Sequence, residues 1–562
     1  MKKGPFIALL VVILIILGLL IVGGVIYLQF TAEPYVADQA YLKIELRGPI
    51  AETSPSGIQG LFSDSLSIRD LWYQIARAKV DRRIKGIIVK ISDIEAGFAK
   101  IEQIGRFFKE FEKSKKPVVA FIEEGGLREY YLASFADKVI AFRGGMLTIT
   151  GVAAEAVFLK NTLSKLGIQA EMFHIGEYKT AANQFTEDHM TPPHRESMEV
   201  LLNDIYSAVI EGIARNRHLD RQLVRQKLGE SPLPMNMYLR DNFLDAIGYE
   251  DEVYVQLKNR FPQVSFRTYA KTTSPNPFVG AQKIAVIFAS GQIMSGKSGG
   301  QSVFGDDVLG SDSLAEQLRS ARNNYSVKAV VLRIDSPGGS AVASDVILRE
   351  AELLAKKKPL VVSMSDLAAS GGYWITLSSS KTMALPETIT GSIGVLSGKF
   401  VMKGLYDKLG ITKELVKTTK YSGMFSDYQP FSDDEKGKIM AEMETIYSEF
   451  LKKVALNRKK TVAEIDKIAR GRVWSGDSAL RLNLIDQIGG LSDAILEARK
   501  LARIPESEGF GVRVYPQKKT LWDFIFDLGG VRVQNPLDVK AQIAVLKKFY
   551  PALAMPFAVH FD

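Results

Sequence analysis

The sequence predicts an α/β protein: a tandem pair of similar domains that follows one N-terminal transmembrane helix. Three observations predict it. A 23-residue run from Phe6 to Leu28 carries no charge. Short segments recur in order at a nearly constant separation. Within each copy, β-branched apolar runs alternate with amphipathic helical stretches, the pattern of a sheet buried on both faces. At 562 residues, 46% hydrophobic and 24% charged, the chain is ordinary in composition and too long for one core.

The apolar run comes first. As a helix rising about 1.5 Å per residue it spans about 35 Å, enough to cross a bilayer core. Lys2 and Lys3 precede it, and Glu33 and Asp38 follow. Positive charge stays on the cytoplasmic side, so the chain after Gln29 is expected outside the cytoplasm. A cleaved signal peptide would have a shorter apolar region and an A-x-A-like site, and none stands near Ala32. Residues 1–30 therefore read as cytoplasmic N-terminus plus anchor, with the lipid bilayer as partner.

The repeat sets the rest. Ile44–Ile50 (IELRGPI) matches Ile287–Ile293 (IFASGQI), and Lys85–Ile91 (KGIIVKI) matches Lys328–Ile334 (KAVVLRI), both 243 residues on. TITG stands at Thr148–Gly151 and Thr388–Gly391, Tyr178 matches Tyr421, and LDAIG at Leu244–Gly248 matches IDQIG at Ile485–Gly489. So long a period means duplicated whole domains rather than a solenoid. The expected units are 38–271 and 283–510, joined through the Pro-containing Thr272–Val279. Apolar runs at Ile87–Val89, Val118–Ile122, Val330–Ile334 and Leu360–Met364 read as strands, and Arg195–Ala214 and Asp434–Val454 as helices. Residues 511–562 read as a tail of unknown role, since no first-half counterpart is apparent from Tyr515 onward.

The net charge of +9 is spread without a basic block, which reads as a solvated surface and not as nucleic-acid binding. Absence of cysteine excludes disulfides, thiolate metal sites and a Cys nucleophile.

Asp335-Ser-Pro-Gly-Gly-Ser340 follows a strand directly. Paired glycines there let backbone N–H groups approach a ligand, as an oxyanion hole requires, although SPGG also makes a plain turn. Further on, Ser370 lies between an apolar strand and a helical stretch, flanked by Ala368, Ala369, Gly371 and Gly372. Small neighbours leave room at Oγ, as in other nucleophile turns. Of the five histidines only His560 lies beyond His218, so a Ser/His/Asp triad lacks support. A lysine held neutral by burial is the other chemical solution, and Lys179 in Gly176-Glu-Tyr-Lys-Thr180 is the candidate. The halves are degenerate in complementary ways. Lys179 aligns with Ser422, Ser370 with Leu127 or Arg128, and Ser-Pro-Gly-Gly with the region of Asp93-Ile94-Glu95. One site assembled across both halves explains all three losses.

DSPGGS, AASGGYW, the TGSIG run at Thr390–Gly394, GEYKTA and GRVWSG at Gly471–Gly476 resemble the long, duplicated form of signal peptide peptidase A (protease IV). The resemblance covers nearly the whole chain. It implies a pair of crotonase-like domains related to the Clp protease subunit, with Ser370 as nucleophile, Lys179 as base, Ser392 orienting the lysine, and Gly339 and Gly371 as oxyanion donors. It implies a membrane-bound serine endopeptidase that takes signal-peptide remnants and other unfolded peptides as substrates, without metal or cofactor. It also implies a homotetramer and a place in the bacterial inner membrane, with the catalytic body on the periplasmic side. A non-proteolytic crotonase-fold protein, binding an acyl-thioester or serving as a membrane scaffold, is the alternative, because fold alone does not fix function.

One cluster stays outside this reading. Glu187, Asp188, His189 and His194 lack the H-E-x-x-H spacing, and Pro192-Pro193 interrupt any continuous helical face between the histidines, so a solvated loop is expected rather than a metal site.

Overall fold

The structure, a computed structural model, describes residues 17–18, 34–54, 66–257, 260–300, 307–516 and 552–553. Apart from Leu17 and Gly18, the expected anchor lies outside the described residues, among which no helix is long and apolar enough to cross a membrane.

Two sheets repeat one design. In the first, strands run in the order Gln263–Ser265, Ala40–Pro49, Ile84–Glu95, Val118–Gly126, Lys138–Phe142 and Ala246–Gly248, all parallel. In the second, Gly511–Tyr515, Lys283–Ser290, Val327–Ser336, Leu360–Ala369, Lys381–Ala384 and Gln487–Ile488 follow the same order, again parallel. Their central strands are rich in Ile and Val and buried on both faces, as a helix-covered parallel sheet requires. The strand Gly511–Tyr515 is a correction to the expected tail. It takes the place in the second sheet that Gln263–Ser265 takes in the first, too short a segment for sequence matching to register.

The long helices repeat as well. Pro192–Arg217 starts with proline at its first position, where the missing N–H costs nothing, and ends on left-handed His218. Asp433–Arg458 starts with a Ser432/Glu435 capping box and ends on left-handed Lys459. The first runs three residues longer than the sequence reading at each end, the second one residue longer at its start and four at its end.

A third, mixed sheet joins the two halves. Gln169–Ile175 from the first pairs antiparallel with Val395–Val401 from the second, Ile175 opposite Val395 and Gln169 opposite Val401. The same sheet contains Gln292–Met294, Gly339–Ser340 and the two-residue strand Ala552–Leu553, which runs antiparallel to Gly339–Ser340 and faces Leu396. Apolar packing is continuous across the halves: Ile284, Val286 and Val331 share one cluster with Ile87, Phe108 and Tyr131.

Candidate active site

The Ile175–Val395 register brings Lys179, four residues past the end of one strand, to Ser392, three residues before the start of the other. The loop Arg470–Arg472 lies between them and ties each down. Tyr178 N–H donates to Arg470 O (2.9 Å), Gly471 N–H to Ile393 O (2.7 Å), and Ser392 N–H to Arg472 O (2.8 Å). Gly471 is required here. Its φ is +82°, and a Cβ on it would stand 2.4 Å from the Lys179 backbone nitrogen.

Ser370 sits where Leu360–Ala369 turns into the short helix Gly371–Trp374, at φ 56° and ψ −117°. That conformation is strained for a residue with a Cβ, and it is held by Ser370 N–H donating to Gly391 O (2.8 Å) and Trp374 N–H to Ser370 O (2.9 Å). Lys179 Nζ lies 2.9 Å from Ser370 Oγ, 3.0 Å from Ser392 Oγ and 3.1 Å from Ser392 O. All three residues are fully buried. Burial alone pushes the Lys179 pKa down to about 7.

Gly339, at φ +151°, packs so closely on Ile293 that a Cβ would lie 2.0 Å from Ile293 O. A Cβ on Gly371 would lie 3.2 Å from Gly339 N, so the two expected donors are neighbours. All five residues singled out in the sequence thus converge. A cavity of about 2530 Å³ opens beside them, reaching Ala181 and Ala182 next to Lys179, Pro337 before Gly339, and Leu396. Its walls come from both halves, with Lys100 and Glu124 from the first and Asp335 and Leu367 from the second.

The first half has no such site. Gly126, rather than Leu127 or Arg128, caps the helix that follows the strand as Ser370 does in the second half, because the chain reaches that cap two residues sooner after Val118 than after Leu360. Strand Ile84–Glu95 continues through the residues that replace Ser-Pro-Gly-Gly. The Glu129 carboxylate fills the remaining space, accepting from Ile94 N–H and Gly126 N–H at 2.8 Å each. Ser422, opposite Lys179 in the repeat, is exposed and bonds locally to Thr419.

Of the acid/histidine cluster, His189 is exposed and pairs with Asp188 (2.5 Å), whereas His194 is buried in the helix that begins at Pro192. The solvated-loop expectation therefore fails for His194. Among the described residues no group of His, Asp and Glu is arranged to hold a metal ion.

Comparison with known proteins decides the family. The model for peptidase family S49 matches residues 110–261 and again 352–505, once in each half. The chain belongs to peptidase family S49. It is 34% identical to the chloroplastic serine protease SPPA of Arabidopsis thaliana over 475 residues, 83% of this chain and 69% of that one. Protease 4 of Salmonella typhi is 32% identical over 508 residues, 86% of this chain and 80% of that one. Protease 4 of Haemophilus influenzae is 31% identical, covering 78% and 73%. Among solved structures, a mutant of ClpP1 from Listeria monocytogenes matches 37% of this chain and 94% of its own at 16% identity, with a TM-score of 0.25, too slight a likeness to build on. Membership makes this S49 chain a serine peptidase, the enzyme class its motifs predict.

Proposed function

We propose that this protein is a Ser/Lys-dyad endopeptidase in which Ser370 is the nucleophile and Lys179 the general base. The observation that carries this reading is the 2.9 Å approach of Lys179 Nζ to Ser370 Oγ in a fully buried setting that lowers the lysine pKa to about 7. A neutral amine has two N–H bonds and one lone pair. The N–H bonds go to Ser392 O and Oγ, which leaves the lone pair for the Ser370 hydroxyl proton. Ser370 Oγ attacks the peptide carbonyl as Lys179 takes its proton. The oxyanion is held by the N–H groups of Gly339 and Gly371, and the lysine passes its proton to the departing amine. Neutral Lys179 then activates water to release the acyl group.

The substrates of this reading are extended, unfolded or hydrophobic peptides, cleaved signal peptides among them. The strand Ala552–Leu553 beside Gly339–Ser340 supports it, because an edge that accepts one added strand accepts another. The names of the Salmonella and Arabidopsis relatives, Protease 4 and SPPA, support the same class. The reading also includes a cytoplasmic N-terminus, an anchor over Phe6–Leu28, a catalytic body outside the cytoplasm, two crotonase-like units near 38–271 and 283–515, and a homotetramer.

Labelling of the membrane-extracted protein by a serine-directed fluorophosphonate tests the core of the reading. Labelling and peptide cleavage lost together in Ser370→Ala support it; cleavage retained in Ser370→Ala overturns it.

A further inference from the structure

The strands that deliver the oxyanion loop and the nucleophile lose their backbone ladder just before they reach the site. Val327–Ser336 and Leu360–Ala369 pair regularly up to Ile334 opposite Met364, then resume only at Ser336 opposite Ala368. Asp335 therefore faces three residues, Ser365, Asp366 and Leu367. An interruption of this kind re-aims a strand and leaves backbone groups without ladder partners.

Charges from both halves, Glu52 and Arg333 fully buried and Lys100, Asp335 and Asp366 partly so, take over the missing bonds. Arg333, fully buried, donates from Nη1 to Ser363 Oγ (3.0 Å) and Met364 O (2.9 Å), and from Nη2 to Ser365 Oγ (2.8 Å). Its Nε and Nη2 also pair with the Glu52 carboxylate at 3.1 and 3.2 Å, and Ser365 Oγ donates to the same carboxylate. The Asp335 carboxylate accepts from Leu367 N–H (3.2 Å) and from Lys100 Nζ (2.7 Å). Asp366 accepts from the backbone N–H groups of Gly97 (3.0 Å) and Lys100 (2.8 Å), capping the helix Phe98–Glu112, whose own N-cap, Gly97, has no side chain to do so. Glu52, Gly97 and Lys100 all belong to the first half.

We propose that Lys100 is a positioning residue, the ammonium through which the first half braces the ladder interruption that aims Ser370 and the Gly338–Gly339 loop. The proposal rests on the Ser370/Lys179 reading above. It gives the degenerate half a second task beyond supplying Lys179. Removing one member of a buried, hydrogen-bonded charge group leaves the others uncompensated, so the brace acts as a unit.

The charges acting on Asp335 are Lys100 from the helix, Glu52 from the segment after Ala40–Pro49, and Asp366 from the neighbouring strand, while Arg333 from its own strand pairs with Glu52. Burial and the two acids outweigh Lys100 and push the Asp335 pKa up to about 6. The brace is then intact above that pH and loses its Asp335–Lys100 ion pair below it. Two protonations, at Lys179 near 7 and Asp335 near 6, should each cut activity on the acid side.

The full-length protein in detergent provides the test, with kcat and KM on a peptide substrate, the fluorophosphonate labelling rate of Ser370, and kcat/KM from pH 5 to 9. Parent log kcat/KM should rise with a slope near two below about pH 6 and near one between about 6 and 7. Lys100→Met should lower kcat by about 10- to 100-fold with KM changed less than about threefold, the signature of misaimed groups rather than lost binding. Without the ammonium, Asp335 keeps its proton to higher pH, so the steep region should begin above 6. Lys100→Arg should recover a large part of kcat. A folded Lys100→Met with parental kcat and pH profile overturns the proposal. If Lys100→Met does not fold, Asp335→Asn decides: it keeps an acceptor for Leu367 N–H but cannot ionise, so the steep region should vanish, and its persistence overturns the proposal. Cleavage by Ser370→Ala would instead overturn the dyad reading beneath it.

Discussion

Lys179 Nζ and Ser370 Oγ lie 2.9 Å apart although 191 residues separate them in the chain, and desolvation alone accounts for the lowered lysine pKa. The base is held neutral by its walls, so its chemistry depends on the fit around it.

Replacement of Lys179 by arginine tests that dependence. Guanidinium does not deprotonate in proteins, so Lys179→Arg should be as inactive as Lys179→Ala, a loss of at least about a thousandfold in kcat. Parent activity should rise as pH climbs through about 7 and Lys179 loses its proton. Peptide cleavage from pH 6 to 10 measures both; near-parental turnover by Lys179→Arg would remove Lys179 as base. Ser392→Ala should hurt less, because Ser392 O remains to orient the amine.

Stability should rise with pH as well. Between pH 7 and 10.5 the unfolded lysine holds a proton that the folded one has released, so the parent gains stability as pH rises through this window and has lost that contribution at pH 6. Lys179→Met removes the penalty. It should be more stable than the parent at pH 6, by on the order of 2 kcal/mol, with the difference shrinking toward pH 10. Thermal melting of both proteins at the two pH values is the check, and a parent that melts higher at pH 6 refutes it.

Gly471→Ala should disable the site without replacing either dyad residue. Its Cβ would enter the Lys179 backbone at a positive φ, so Lys179 must shift. The expected cost is about 1 to 3 kcal/mol in stability and about 100-fold in kcat. Chemical denaturation and peptide kinetics read the two effects separately, and unchanged kcat would show that Lys179 tolerates the shift.

A second buried cluster predicts a tolerated change. Tyr131 OH lies 2.5 Å from Glu102 and 3.1 Å from Glu387, and burial followed by the Glu102 charge holds the Glu387 carboxyl well above its usual range. The folded state then keeps a proton that the unfolded state releases above about pH 4.5, so this group costs stability as pH rises. Glu387→Gln, which mimics the protonated acid, should keep parental kcat at pH 7 and melt no lower than the parent at pH 8. A marked fall in melting temperature would mean that Glu387 is ionised.

Much of this architecture is legible in the chain because duplication leaves two noisy copies of each signal. Matching IELRGPI with IFASGQI and KGIIVKI with KAVVLRI was enough to predict two α/β units, since apolar runs and their spacing are local properties. Ser370 and Lys179 stood out because each lacks a counterpart in the other half. The short strand Gly511–Tyr515 is not legible, because five residues carry too little periodicity to register.

Composition, repeat and motif determined the family, the two-unit plan and the candidates for nucleophile and base. The tertiary structure alone decided that they meet. The pairing of Ile175 with Val395 is a long-range register that no local pattern encodes, and it brings Lys179 beside Ser370 and Ser392. Nothing in the sequence marks Glu52, Lys100 and Arg333, since charged residues are seldom buried. Only the fold, by closing one half over an interrupted ladder in the other, buries Glu52 and Arg333, sets Lys100 at the cavity wall beside Asp335, and turns three scattered charges into a brace.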